Sequence, residues 1–238
     1  ETLTLNISDC YKLFPMKNNQ IKIKSALISV YSKEGIEELA NVLEGYGIQI
    51  YSTGGTYDFL SQKGFHPTSI ESVTSYPSIL GGRVKTLHPK VFGGILWRRN
   101  ELKDVEDVGR YEIPSVDLVI VDLYPFEKTV ASTHHEEEII EKIDIGGISL
   151  IRAAAKNYAH VLVIPETGYY GELLQILKQN NGSSTLDERR LFAARAFRVT
   201  SHYDTQIFGY FNRTEEVPGF GTSCLSSVPL RYGENPHQ

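Results

Sequence analysis

Cysteine, methionine and tryptophan are scarce in this chain, at two, one and one among 238 residues. Cys10 and Cys224 stand near opposite ends, with no partner at a zinc-ligand or disulfide-framework spacing, so both read as ordinary thiols of a reducing compartment. Long apolar runs are also lacking. The strongest, residues 116–126, is broken by Asp117 and Asp122. It falls well short of the roughly 20 residues that span a bilayer, so it reads as a buried strand and no membrane role is expected. The first 14 residues have acidic groups and no basic segment leading into an apolar core, unlike a secretory signal, so a cytoplasmic location is expected. There is no basic excess: 24 Lys and Arg face 29 Asp and Glu, a net charge of -5. That balance argues against a nucleic-acid surface and leaves a small anionic ligand held by a few local cations. What remains is an ordinary globular composition, 41% hydrophobic and 22% charged, long enough for one large domain or two small ones.

Local patterning points to an α/β fold. Residues 25–30 form a short apolar strand, followed by a loop through Lys33 and then Ile36, Leu39, Leu43 and Tyr46 at helical spacing. Gly47 suits the end of that helix, and residues 48–51 read as a second strand leading into Thr53-Gly54-Gly55-Thr56 and a helix over 57–63. Two successive strand-loop-helix units imply a parallel sheet with right-handed crossovers. Residues 75–96, rich in glycine, proline and basic groups, read as one long functional loop. A strand over 116–121 stops at Pro125, a helix spans 136–143, Gly146-Gly147 interrupts it, and a further helix covers 148–156. After a strand at 161–164 the chain turns helical, with a capping box from Thr185 to Glu188 opening a long run towards Phe211. This makes a helical layer appended to the sheet.

Three clusters can carry chemistry. In an open parallel sheet ligands bind beyond the carboxyl ends of the strands, where Lys33 and the Thr53–Thr56 turn both fall. Backbone N–H groups and two threonine hydroxyls there suit a phosphate, with Lys33 as point charge; a plain tight turn is the alternative. The second cluster is Gly81-Gly82-Arg83-Val84-Lys85-Thr86-Leu87-His88-Pro89-Lys90. If extended, it points Arg83 and Lys85 the same way to hold an oxyanion or phosphate; a solvated basic loop is the alternative, and His88 reads as structural. The third comprises Tyr124 at a strand end, Asp144 before Gly146-Gly147, and Lys156 closing an alanine-rich helix. A buried lysine exchanges protons near neutrality when its pKa falls, with a carboxylate and a phenol to orient it. Each also has a plainer reading as interface tyrosine, helix-capping aspartate and lysine complementing a helix dipole. The His134-His135-Glu136-Glu137-Glu138 run is not expected to bind metal, because neighbours on a helix face different ways.

Taken together, the motifs resemble a known family. Ile28-Ser29-Val30 with Lys33 and Gly35, Thr53-Gly54-Gly55-Thr56, Gly81 through Pro89, Leu123-Tyr124-Pro125-Phe126, Ile143-Asp144-Ile145-Gly146-Gly147 and Arg152-Ala153-Ala154-Ala155-Lys156-Asn157 occur in the order found in the IMP cyclohydrolase portion of the bifunctional AICAR transformylase/IMP cyclohydrolase family. The resemblance implies a methylglyoxal-synthase-like parallel sheet with helices on both faces and an appended helical C-terminal layer. It divides the chain into an extension over 1–22, a cyclohydrolase domain over 23–212 and a linker over 213–238 that leads towards a transformylase domain. The implied reaction is dehydrative closure of 5-formamidoimidazole-4-carboxamide ribotide to inosine monophosphate (IMP), with no metal or organic cofactor, in a homodimer whose ligand is a small purine ribotide. By the same resemblance Lys33, Thr53, Gly54, Gly55 and Thr56 hold the 5'-phosphate, and Arg83, Lys85, Thr86 and Asp122 contact the ligand. Lys85, Tyr124, Asp144 and Lys156 form the catalytic group, and the backbone from Asp144 through Ile145, Gly146 and Gly147 faces the formyl oxygen. Lys85 and Lys156 are then expected to depress each other's pKa. Three positions depart from the family pattern: Tyr31-Ser32 replaces Ser-Asp, Thr53 replaces serine, and Asp122 replaces asparagine. An ionised aspartate cannot donate as an amide does, so Asp122 is expected to pair with a neighbouring lysine. Relatives of the same fold supply the alternatives, a methylglyoxal-synthase-type lyase and a regulatory nucleotide-binding domain.

Overall fold

The computed structural model describes residues 20–213, 217–219 and 221–224. Cys10, nearly all of the 1–22 extension and the 230–238 stretch lie outside the described residues. From β1 (Ile21–Lys22) the chain enters β2 (Ser25–Val30), an apolar run buried almost throughout. Helix α1 (Ile36–Gly45) covers the sheet with Ile36, Leu39, Ala40 and Leu43, the stripe its spacing predicted. Strand β3 (Gln49–Ser52) then runs directly into α2 (Gly54–Gln62). The two glycines are therefore the helix's first turn, with Thr53 at its N-cap, rather than a separate turn before a helix at Tyr57. Short elements β4 (Thr68–Ser69) and α3 (Ile70–Thr74) follow.

The segment read as one long loop is more ordered than expected. It holds a 3-10 turn at Leu80–Gly82 and a helix, α4 (Pro89–Leu96), which starts on a proline and is capped by the His88 ring accepting the Lys90 N–H at 3.1 Å. Glycine misled the sequence reading here because its role is contact: a Cβ at Gly94 would run into the Pro114 carbonyl oxygen. Next come α5 (Leu102–Arg110), β5 (Leu118–Asp122), α6 (Phe126–Ser132), α7 (Glu136–Ile140) and α8 (Gly146–Lys156). Gly146-Gly147 opens α8 instead of interrupting a longer helix. The remainder is β6 (Leu162–Ile164), α9 (Tyr170–Gln179), β7 (Ser183–Ser184) and α10 (Leu186–Phe211).

Five parallel strands lie in the order β4-β3-β2-β5-β6, and β1 pairs antiparallel with β7. The chain moves outward from β2 to β4, then returns to the other side of β2 as β5. That reversal opens a crevice at the carboxyl ends of β2 and β5, where Val30 stands level with Asp122. Ala26, Leu27 and Ile28 of β2 and residues 118–121 of β5 are all fully buried, the continuous apolar signature of strands covered on both faces. Helices α1, α2, α8 and α10 pack on the sheet. No helix among the described residues is long and apolar enough to cross a membrane.

The C-terminal layer is α10, which lies on α8 and β6. Its start is the expected capping box: Thr185 Oγ1 accepts the Glu188 N–H at 3.2 Å while Glu188 accepts the Thr185 N–H at 2.7 Å. One turn on, Arg189 is fully buried. Its guanidinium donates to the carbonyl oxygens of Tyr158 (2.9 Å), Ala159 (3.1 Å) and Ser184 (2.7 Å), joining α10 to β7 and to the turn before β6. Burial pulls its pKa down to about 10.

Candidate active site

At the crevice between β2 and β5 lies a cavity of about 700 Å³. Its floor is set by strand ends, one wall by the start of α2, another by residues 81–86, and the far end by the loop between α7 and α8. Asp122, the last residue of β5, accepts the backbone N–H groups of Tyr31 and of Ser32, the latter at 3.0 Å. An acceptor-only carboxylate thus fastens the β2–α1 loop. It makes no ion pair with a lysine within the described residues, so the expected direct pairing gives way to backbone contacts. Burial raises its pKa, against the pull of those N–H groups and of Lys33.

The cationic end of the cavity is built around α2. Lys33 Nζ donates to the Val30 carbonyl at 2.5 Å and the Tyr31 carbonyl at 3.1 Å. Burial lowers its pKa, Asp122 opposes the shift, and Lys85 adds to it. Thr53 donates its hydroxyl to Glu71 Oε1 at 2.6 Å, and Thr56 donates to the Val30 carbonyl at 3.0 Å while accepting the Val30 N–H at 3.2 Å. Both threonine protons are therefore engaged within the protein. The hydroxyls shape the turn, and the donors left for an anion are the first-turn N–H groups of α2 with the two lysines. Gly54 has φ 53°, and a Cβ there would run into Lys85 Nζ, so the ammonium lies directly against the turn.

Residues 81–86 are not extended. Arg83 has helical angles (φ -62°, ψ -23°), so its side chain and that of Lys85 diverge rather than align. Arg83 forks onto Glu141 across the cavity mouth, while Lys85 turns to Gly54. Thr86 is buried beside the start of α8, with Oγ1 2.9 Å from the place of a Cβ on Gly146.

The opposite end joins Tyr124, Asp144, Ile145, Gly146 and Gly147. Asp144 Oδ1 accepts the Gly147 N–H at 2.6 Å, so the aspartate does cap α8. Burial nevertheless raises its pKa, with the Gly147 and Tyr124 N–H groups pulling the other way. Tyr203 of α10 fixes this loop from behind: its Oη accepts the Asp144 N–H at 2.8 Å and donates to the Lys142 carbonyl at 2.7 Å. Burial pushes the Tyr203 phenol up to about 12. Tyr124 packs edge-on against Tyr31 with centroids 5.4 Å apart, and burial, then Asp144, raise its pKa too.

Lys156 is elsewhere. It is exposed at the last turn of α8, whose first turn lines the cavity. At about 1.5 Å per residue the helix carries it some 15 Å from Gly146, and its charge complements the helix dipole instead. The expectation that Lys156 and Lys85 share one site and depress each other's pKa is thereby corrected; the lysine coupled to Lys85 is Lys33. Sequence reasoning missed Glu141 and Lys142, which line the same cavity. Their only sequence signal was adjacency to Ile143-Asp144-Ile145-Gly146-Gly147. His88 serves as a helix cap, and Glu136, Glu137 and Glu138 occupy the first turn of α7. Among the described residues no three His, Cys, Asp or Glu side chains converge as a metal site.

A five-stranded parallel sheet whose switch point holds such a cavity defines the class, an MGS-like domain, and the family model of that description matches residues 35–149. The chain belongs to the AICARFT/IMPCHase bienzyme family, whose model matches residues 154–238. It is 55% identical over 217 residues to the "Bifunctional purine biosynthesis protein PurH" of Bacteroides thetaiotaomicron, covering 91% of this chain and 43% of that protein. The protein of the same name from Rippkaea orientalis is 45% identical over 221 residues, covering 90% of this chain and 43% of its own length. The chain thus spans less than half the length of these relatives. A solved structure described as "Crystal structure of ForH" superposes with a TM-score of 0.69 at 33% identity, covering 79% of this chain and 99% of that one.

Proposed function

We propose that this chain is the IMP cyclohydrolase portion of a bifunctional purine enzyme, closing 5-formamidoimidazole-4-carboxamide ribotide to IMP with loss of water. Residues 23–212 then form the cyclohydrolase domain and residues 213–238 lead towards a transformylase domain, in a cytoplasmic homodimer. The observation that carries the reading is the polarity of the cavity: Lys33, Lys85 and the α2 N-terminus at one end, a phenol, a carboxyl group and the α8 N-terminus at the other. A ribotide has matching ends. With the 5'-phosphate on α2, the carboxamide and formyl groups lie towards Tyr124 and Asp144.

Both reacting groups belong to one molecule, so the first task is to hold them close and coplanar. As the carboxamide nitrogen attacks the formyl carbon, the nitrogen loses a proton and the formyl oxygen gains negative charge. The Gly146 N–H at the head of α8 is placed to stabilise that oxygen, since Gly147 already donates to Asp144. Tyr124, held protonated by burial, donates a proton, and Asp144 accepts one at the same end. Asp144 then returns its proton to the hydroxyl while the Tyr124 phenolate removes the proton of the former formamido nitrogen, so the C–O bond breaks, the ring C=N bond forms and the oxygen leaves as water.

Adding the formylated ribotide and following IMP by its ultraviolet absorbance tests the reading; turnover is expected, and its absence overturns it. Release of inorganic phosphate from dihydroxyacetone phosphate would instead mark a lyase. A second expectation concerns pH. The free protein's Lys33 loses its proton below the ordinary 10.5, and a phosphate favours the charged form, so binding above that pKa requires proton uptake. Affinity for ribose 5-phosphate, measured by calorimetry, should therefore fall as pH rises, beginning below 10.5. Lys33→Arg, which stays charged, should flatten that decline.

A further inference from the structure

We propose that Lys142 is a ligand-binding residue that makes the cavity prefer an oxo group over an amino group on the heterocycle of its nucleotide. This rests on the functional reading above and adds the basis of its discrimination between purines. Lys142 Nζ stands 5.5 Å from the Tyr31 ring centroid and 5.4 Å from that of Tyr124, two rings set edge to face at 80°. Cation–π attraction holds the charge beside both rings with no oxygen acceptor taken up, which leaves at least one N–H for a ligand. No ion pair or side-chain hydrogen bond engages Nζ among the described residues, whereas Arg83 is tied to Glu141 and Lys33 to two carbonyl oxygens.

The position is also fixed. The Lys142 N–H donates to the Ile139 carbonyl at 3.0 Å, and its carbonyl accepts from Tyr203 at 2.7 Å, so the side chain leaves a pinned backbone into the cavity wall. An ammonium has three donors and no acceptor. It complements an exocyclic oxygen and opposes an exocyclic amine, which would set N–H against N–H. The Tyr124 ring and the backbone leading into Asp144 keep it at the end where those two residues meet the base.

Calorimetric titration with IMP, AMP and ribose 5-phosphate tests this. The unmodified protein should bind IMP more tightly than AMP. Lys142→Met should weaken IMP binding about ten-fold, the scale of one charged hydrogen bond, with AMP and ribose 5-phosphate changed less than about two-fold. In ring-closure kinetics the same loss should appear in KM rather than kcat. Lys142→Arg, also donor-only, should retain the preference for IMP. Equal loss of IMP and AMP binding in Lys142→Met, or an unchanged IMP-to-AMP ratio, overturns the proposal. An unmodified protein that binds ribose 5-phosphate but neither purine nucleotide would instead sink the functional reading itself.

Discussion

Lys85→Met is expected to lower kcat/KM for ring closure by about a hundred-fold, the scale of a lost charged phosphate contact together with its electrostatic hold on Asp144. The expectation follows from where the ammonium lies. It rests against Gly54 at the head of α2, shifts the titration of Lys33, and helps hold down the pKa of Asp144 at the other end of the cavity. Among the cations that line the cavity it is the one that bears on both Lys33 and Asp144, and Asp122 opposes it at each. Ribose 5-phosphate affinity should drop about ten-fold in the same variant, isolating the phosphate share. A variant within three-fold of the unmodified protein in kcat/KM would remove Lys85 from the machinery.

Arg189→Met is expected to destabilise the fold by about 2–4 kcal/mol, read from the urea midpoint. Two effects compete. Methionine relieves the cost of burying a charge, as the depressed Arg189 pKa of about 10 reports. It also removes the donor from three carbonyl oxygens, of which Ser184 is buried, Tyr158 half-buried and Ala159 exposed. At about 1–3 kcal/mol for the buried Ser184 carbonyl, and less for the two that water reaches, the second effect wins. Arg189→Lys should recover only part of the loss, because one ammonium cannot match a planar fork aimed at three separated acceptors. Midpoints equal to those of the unmodified protein would show that the three carbonyls find other partners.

The sheet was legible from sequence because its strands are buried on both faces: residues 25–30 and 118–121 have no polar side to confuse the reading beyond Ser25 and Ser29. Helix α10 was legible because a capping box is local chemistry. Helix α4 was not, since Pro89 and Gly94 signal a loop until the neighbouring Pro114 backbone is known. Within the site, most of the motif residues do meet at one cavity. The errors share a cause, which is that direction is not written in a motif. Arg83 and Lys85 diverge through a helical turn, the threonine hydroxyls face Glu71 and Val30, and α8 carries Lys156 away from the Asp144 that precedes it. Lys142 went unnoticed because its significance depends on Tyr31 and Tyr124, neither near it in sequence.

Tyr203 gives the C-terminal layer a part in recognition. Its single hydroxyl links α10 to both ends of residues 142–144, so the loop that presents the carboxyl group is anchored to the last long helix as well as to the end of β5 through Tyr124. Occupancy of the cavity and the integrity of that helix are consequently linked. A ligand that steadies the loop slows opening of α10, and a chain shortened before residue 203 keeps the α2 turn but loses the brace on the loop that carries Asp144.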